Sequence, residues 1–170
     1  MAKEDGTWIM RGLDWDDPAR IQSWQELTGW GDEVGFLPLF RNGADGFSVE
    51  ENTSDLCWWS DDPAQAPWKW RQLIARSGRV TYGRFFVGKT GFVSRAWLPH
   101  FANWRRNGYD FDSRWDEGLA GIRQKWMMDR FAEREKLRSS ELKRLAGFGR
   151  EGEKDFEGTV SGLQIEGDLV

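Results

Sequence analysis

Cysteine and histidine are nearly missing from this chain of 170 residues, which has one of each. The lone Cys57 excludes an internal disulfide and fits a reducing compartment, so a cytoplasmic location is expected. With His100 as the single imidazole, a zinc site built from the usual nitrogen and sulfur ligands has too few donors. A carboxylate site for magnesium stays open but has no motif, and neither a metal nor a cofactor is expected. No apolar run approaches the roughly 20 residues that span a bilayer, which argues against a membrane partner. Residues 1–20 are acidic and polar, unlike a signal peptide. Nucleophile elbows, phosphate loops and dinucleotide fingerprints are absent as well.

Tryptophan is what the chain has in excess. Seven of its 12 indoles fall between Cys57 and Glu117, interleaved with arginines. An indole is bulky and carries one N–H donor, so such a block builds either an aromatic core or a stacking surface. Guanidiniums favour the second, because they lie flat on aromatic rings and also grip phosphate. The net charge of −4 is unevenly divided. Residues 1–66 hold 4 basic and 14 acidic side chains, whereas residues 67–112 hold 9 basic and 2 acidic. Two readings follow. Either the cationic middle forms an outward strip for nucleic acid, or the acidic first part packs near it and neutralises it.

Local signals predict the elements. Residues 1–13 look like a flexible tail. Asp17-Pro18 signals a helix start, with Ile21, Trp24 and Leu27 at helical spacing and Gly29 to Gly31 as its end. Gly35 to Phe40 reads as a buried extended segment, 41–46 as a turn and 60–67 as a loop. Pro67 opens a helix closed near Gly78. Val80 to Val87, then a Gly88 to Gly91 turn and Phe92-Val93, reads as a hairpin. Trp58 and Trp59, adjacent in an extended stretch, should split between core and surface. Ser94 caps a helix carrying Trp97, Phe101 and Trp104, although Pro99 puts its regular start in doubt.

The remainder reads as a long helix over about 113–138 with Leu119, Ile122, Trp126, Met127 and Phe131 on one side. A short helix from Ser139 to Leu145, a third over 153–163 and a strand over 164–170 follow. Helix, short helix, helix, strand is the order of a winged helix-turn-helix whose wing is incomplete. The expected fold class is α+β: a flexible tail (1–13), a Trp-rich mixed part (14–112) and a winged-helix-like part (113–170).

Five stretches carry a family resemblance: Gly35 to Leu39 (GFLPL), Trp68-Lys69-Trp70, Val80 to Phe86 (VTYGRFF), Lys89 to Ser94 and Tyr109 to Asp112 (YDFD). With them the chain resembles bacterial AlkZ-related proteins from about Val34 to Val170. These are similar in turn to winged-helix glycosylases that unhook alkylated bases and interstrand crosslinks from DNA. The resemblance implies a DNA partner and a glycosylase-like hydrolase activity, either vestigial or restricted in substrate. Those glycosylases carry Gln-apolar-Gln or Gln-apolar-Asp on a strand after the helix-turn-helix, and Gln164-Ile165-Glu166 stands at the corresponding place. On a strand, residues 164 and 166 share a face, where an amide and a carboxylate would polarise water for attack on a flipped nucleotide. The alternative is a solvent-facing strand with no catalytic role.

Other candidates divide the same way. Trp104-Arg105-Arg106 either stacks on and grips a nucleic-acid strand or is a helix whose indole points inward. Lys89 sits at a turn that would meet a phosphate if the hairpin is a wing. Lys143 and Arg144 would contact backbone ahead of the presumed recognition helix. That helix carries Glu153, Asp155 and Glu157, which phosphates repel, so a protein partner is an alternative. Asp112 or Ser113 is expected to cap the next helix in a capping box with Asp116, in preference to acid–base work by Asp110 and Asp112. A second functional class is therefore a protein-interaction or self-associating module, pairing through its C-terminal strand into a homo-oligomer. A Trp-lined small-molecule pocket is a third.

Overall fold

The computed structural model describes residues 2–4, 7–132, 134–149 and 152–170. It divides into two compact units, Met1–Phe101 with Val170 and Ala102–Leu169. The boundary expected after residue 112 thus falls between Phe101 and Ala102. Among the described residues the chain is α+β, with seven α-helices and a three-stranded antiparallel sheet. No helix among them is long and apolar enough to cross a membrane.

In the first unit, strands β1 (Ala2–Glu4) and β2 (Thr7–Ile9) pair antiparallel where a flexible tail was expected. The chain after them is tied down, with the Leu13 N–H donating to the Thr53 carbonyl at 2.9 Å. Asp17-Pro18 does not start a helix. The Asp17 carboxylate instead accepts the Ala19 N–H at 2.8 Å in an Asx turn.

Helix α1 is Trp24–Val34, capped by the Ser23 hydroxyl, which accepts the Glu26 N–H at 3.2 Å. It passes through Gly29 and Gly31, the expected stop. Burial of Leu27, Thr28 and Gly31 offsets the helical cost of glycine, and Gly31 faces Val80 and Leu37. The helix ends at Gly35, whose φ of 82° needs glycine.

The sheet runs β3 (Phe36–Pro38), β5 (Lys89–Ser94), β4 (Val80–Phe86). Its hairpin turn is Val87-Gly88, both at positive φ, as two-residue hairpins require. The turn is therefore tighter than expected, and Lys89 opens β5. Register places Leu37, Phe92 and Tyr82 side by side. That face packs on Trp70 and Ile74 of helix α2 (Pro67–Ser77) and on Leu27 of α1. Proline in the first turn and Gly78 at φ 71° bound α2, as the sequence indicates.

On the opposite face Gly83 and Gly91 pair across the strands, beneath the rings of Phe85 and Phe86. A Cβ on Gly91 would lie 2.3 Å from Phe86 Cε2 and 2.6 Å from the Leu37 carbonyl oxygen. Overpacking of this kind costs about 1–3 kcal/mol. Gly91→Ala should lose that much in urea unfolding, whereas Gly43→Ala, which meets nothing within 4 Å, should be near neutral.

A loop organises the rest of the first unit. Glu50, 1% exposed, accepts the Arg11 N–H at 3.2 Å and the Arg41 N–H at 2.9 Å, drawing two distant segments together. Trp58 is buried and Trp59 exposed, the split expected. The backbone there is a 3-10 turn at Asp55–Cys57, not an extended strand.

Helix α3 (Leu98–Arg105) carries the chain into the second unit, which continues through α4 (Phe111–Asp116), α5 (Ile122–Met128), α6 (Ser139–Leu145) and α7 (Phe156–Glu166). The long helix expected over 113–138 is broken. Gly118 at φ 71° ends α4, with its N–H on Trp115 O and that of Leu119 on Arg114 O. This pair of bonds is a Schellman closure, which satisfies the last carbonyls of a helix. Asn107, Gly147 and Gly167 close α3, α6 and α7 in the same way.

The closure at Gly167 overturns the strand expected over 164–170. Gln164 and Glu166 lie in the last turn of α7, whose buried residues Phe156, Thr159 and Leu163 keep helical spacing. The C-terminal strand through which a homo-oligomer would pair is therefore absent. The core of this unit gathers Phe111, Met127, Leu142, Phe148, Phe156 and Leu163. Leu119, Ile122 and Trp126, expected on the inner side of the long helix, are exposed because the break turns them outward.

Candidate nucleic-acid interface

Gly121 precedes α5, and its N–H donates to the Gln124 side-chain oxygen at 2.8 Å. Met127 points into the core. That fixes the rotation of the helix, so Trp126 stays 36% exposed and Arg130, four residues on, shares its side. After α6 the chain turns back on itself. The Glu153 N–H donates to Gly147 O at 3.0 Å and the Gly149 N–H to Glu153 O at 3.2 Å. A Cβ on Gly152 would sit 2.2 Å from Gly147 O, so only glycine fits there.

The result is an open cleft of about 640 Å3 lined by Trp126, Arg130, Leu145, Gly147, Gly152 and Glu153. Arg123 Nε pairs with Glu153 at 2.9 Å, which reduces the negative charge on that wall. Among the described residues Arg130 meets no carboxylate within 4.0 Å. An indole beside a guanidinium can stack a base and hold a phosphate. Periodicity had assigned Trp126 to the core. The Trp-to-Arg spacing of four was the signal that could have found the pair.

The expected site residues are scattered. Lys143 and Arg144 lie exposed in the last turn of α6, next to the cleft wall at Leu145. The Lys143 ammonium is 5.6 Å from the Phe156 ring centroid, and neither residue meets a carboxylate among the described residues. Trp104 is 70% exposed, with the Arg105 guanidinium 5.4 Å from its centroid, so its indole does not point into the core. Lys89 lies in the first unit, exposed at the start of β5. Gln164 and Glu166, two residues apart on a helix, diverge by about 200° and do not share a face.

Arg106 is committed elsewhere. The fully buried Asp168 carboxylate accepts Arg106 Nη1 at 2.9 Å and Arg114 Nη1 at 2.7 Å. Arg114 also lies 3.9 Å from Glu166. The Gly167 turn builds this cluster, because it reverses the chain just before Asp168. In the first unit Arg79 pairs with Asp32 at 2.7 Å, and Lys69 donates to the Asp61 carbonyl at 2.8 Å. Arg71 stacks 3.3 Å above the Trp68 ring centroid. Arg76, Arg84, Lys89 and Arg95 are exposed and meet no carboxylate among the described residues. Arg76 and Arg95 lie toward one end of the hairpin, and Arg84 and Lys89 toward the other, roughly 20 Å away along β4. Arg84 also lies in a bulge opposite Thr90 on the edge strand β4, where bulges and charges oppose strand addition. The continuous cationic strip expected in the middle third is therefore cut by internal pairing.

The helix cap is Asp110, not Asp112 or Ser113, and Asp116 closes the helix instead of completing a capping box. Asp110 accepts the Ser113 N–H at 2.8 Å. That bond, then the Ser113 hydroxyl, holds its carboxyl below the usual carboxylate range. A depressed pKa gives stability that is present above the unfolded value and lost as pH falls through the folded one. A carbon-detected NMR titration should show Asp110 protonating at lower pH than an aspartate in an unfolded peptide; a titration in the ordinary carboxylate range would refute the cap.

The model of the family described as AlkZ related matches residues 21–170. No curated protein and no solved structure matches the chain. Because the family match spans most of the sequence, including both the Trp-rich unit and the cleft-bearing helices, this protein belongs to the AlkZ-related family.

Proposed function

We propose that this AlkZ-related protein binds DNA through its second unit, and that base excision in it is vestigial. The observation that carries the reading is the cleft wall: Trp126 and Arg130 one turn apart, with Lys143 and Arg144 beside it, all three cations clear of carboxylates among the described residues. The order α5, α6, α7 supports a helix-turn-helix-derived unit, though residues 167–170 are not a strand. The family points toward glycosylase-like DNA repair. In such a step Gln164 and Glu166 would position water, but divergent side chains on a helix do not hold one water between them.

Fluorescence anisotropy against duplex, single-stranded and abasic DNA, at low and moderate salt, tests the reading. Binding should be micromolar or tighter at low salt and weaken as salt rises. Arg130→Ala and Arg144→Ala should each reduce the salt slope by about one. No binding tighter than micromolar at low salt would overturn it. Base release from alkylated DNA that is abolished by Glu166→Gln would overturn the vestigial part alone.

A further inference from the structure

The acidic first third of the chain uses many of its carboxylates internally. Asp32 and Asp45 pair with Arg79 and Arg41, Glu26 and Asp17 cap backbone N–H groups, and Glu50 and Glu51 organise the 41–53 loop. Three others, Asp55, Asp61 and Asp62, fall within eight residues of one another. Asp55 meets no cation within 4.0 Å among the described residues, nor does Asp62, whose carboxylate accepts the Ala64 N–H at 2.9 Å. Asp61 has only a 4.0 Å contact with Lys69.

Between these carboxylates the surface is apolar. Leu56 is 78% and Trp59 57% exposed. Asp55–Cys57 is a 3-10 turn; Leu56 and Trp59 stay exposed while Cys57 and Trp58 turn inward. The exposed indole is rigidly backed. Its ring lies 5.0 Å from Trp68, which is stacked on Phe40 and capped by Arg71. Nearby, Gly12 approaches the Asp55 N–H group, while Trp15 in the adjoining stretch is already capped by the Arg20 guanidinium, 4.3 Å from its ring centroid.

We infer that this face of the first unit docks a Lys/Arg-rich segment of a protein partner. An exposed, supported tryptophan offers cation–π and hydrophobic contact, and the surrounding carboxylates select positive charge. Charge complementarity settles the occupant: the same carboxylates repel nucleic acid and anionic lipid. The site lies within the first unit and does not rest on the DNA-binding reading.

The test uses the full chain and a short labelled peptide alternating arginine with leucine, titrated at low salt. The peptide should bind, and its affinity should fall as salt rises. A counterpart with glutamate for arginine should not bind. Trp59→Ala and the pair Asp61→Asn, Asp62→Asn should each weaken binding about tenfold, the scale of losing an interface anchor. All three side chains are exposed, so these variants keep the fold, and Arg130→Ala should leave peptide binding unchanged. Equal binding of the glutamate peptide, wild-type affinity in Trp59→Ala, or no binding of the arginine peptide would each overturn the proposal.

Discussion

Asp168→Ala should destabilise the helical unit by about 3–5 kcal/mol, the usual cost of removing one partner from a buried ion pair. The carboxylate is fully buried and accepts from two guanidiniums, Arg106 and Arg114, which the variant would leave with only the partly exposed Glu166, 3.9 Å from Arg114, as counter-charge. Amide hydrogen exchange should localise the loss to α3, α4 and α7. The asymmetry of buried ion pairs gives a sharper form of the same result. Replacing Arg106, Arg114 and Asp168 together by apolar residues of similar size should cost less than Asp168→Ala alone. A single variant within 1 kcal/mol of wild type would mean that the cluster is wetter than its burial indicates.

Trp70→Ala should cost about 3–5 kcal/mol in the first unit, as large aromatic truncations do. Trp70 is wholly buried on α2 between the sheet face and α1, and its indole N–H donates to Ala64 O at 3.0 Å. The truncation therefore leaves both a cavity and an orphaned carbonyl. Trp59→Ala, eleven residues earlier, should change stability little. The contrast separates the two uses of tryptophan in this chain. Thermal unfolding of both variants measures it, and equal losses would contradict the burial assignment.

Local signals carried much of the first unit. Pro67 and Gly78 bound α2 because proline fits the first helical turn and glycine fits the left-handed closure, whatever surrounds them. The β4–β5 hairpin was legible for a similar reason, as a run of β-branched and aromatic residues around a glycine turn. Glycine elsewhere was ambiguous. Gly31 looks like a helix end but lies inside α1, where packing against Val80 and Leu37 decides. Gly118, Gly121 and Gly167 look like interruptions in apolar periodicity, yet Gly118 and Gly167 reverse the chain and Gly121 starts α5. Misreading them produced one helix in place of two and a strand in place of a helix end.

The candidate site was legible only in part. Lys143 and Arg144 stand where a basic helix end suggested. Trp126 and Arg130 were hidden because the periodicity of an unbroken helix would bury that indole. The fate of Arg106 could not be read at all: its partner is 62 residues away and is brought in by the closure at Gly167. Charge counting places cations in a segment but is blind to which of them long-range folding neutralises.

The most direct test of the DNA-binding account follows the indole N–H signals of the 12 tryptophans by NMR while duplex DNA is added at low salt. The account predicts that Trp126 shifts first, that Trp59 stays fixed because its carboxylates repel phosphate, and that the buried Trp58 and Trp70 do not move. Shifts confined to indoles of the first unit, or no shift at Trp126, would contradict it.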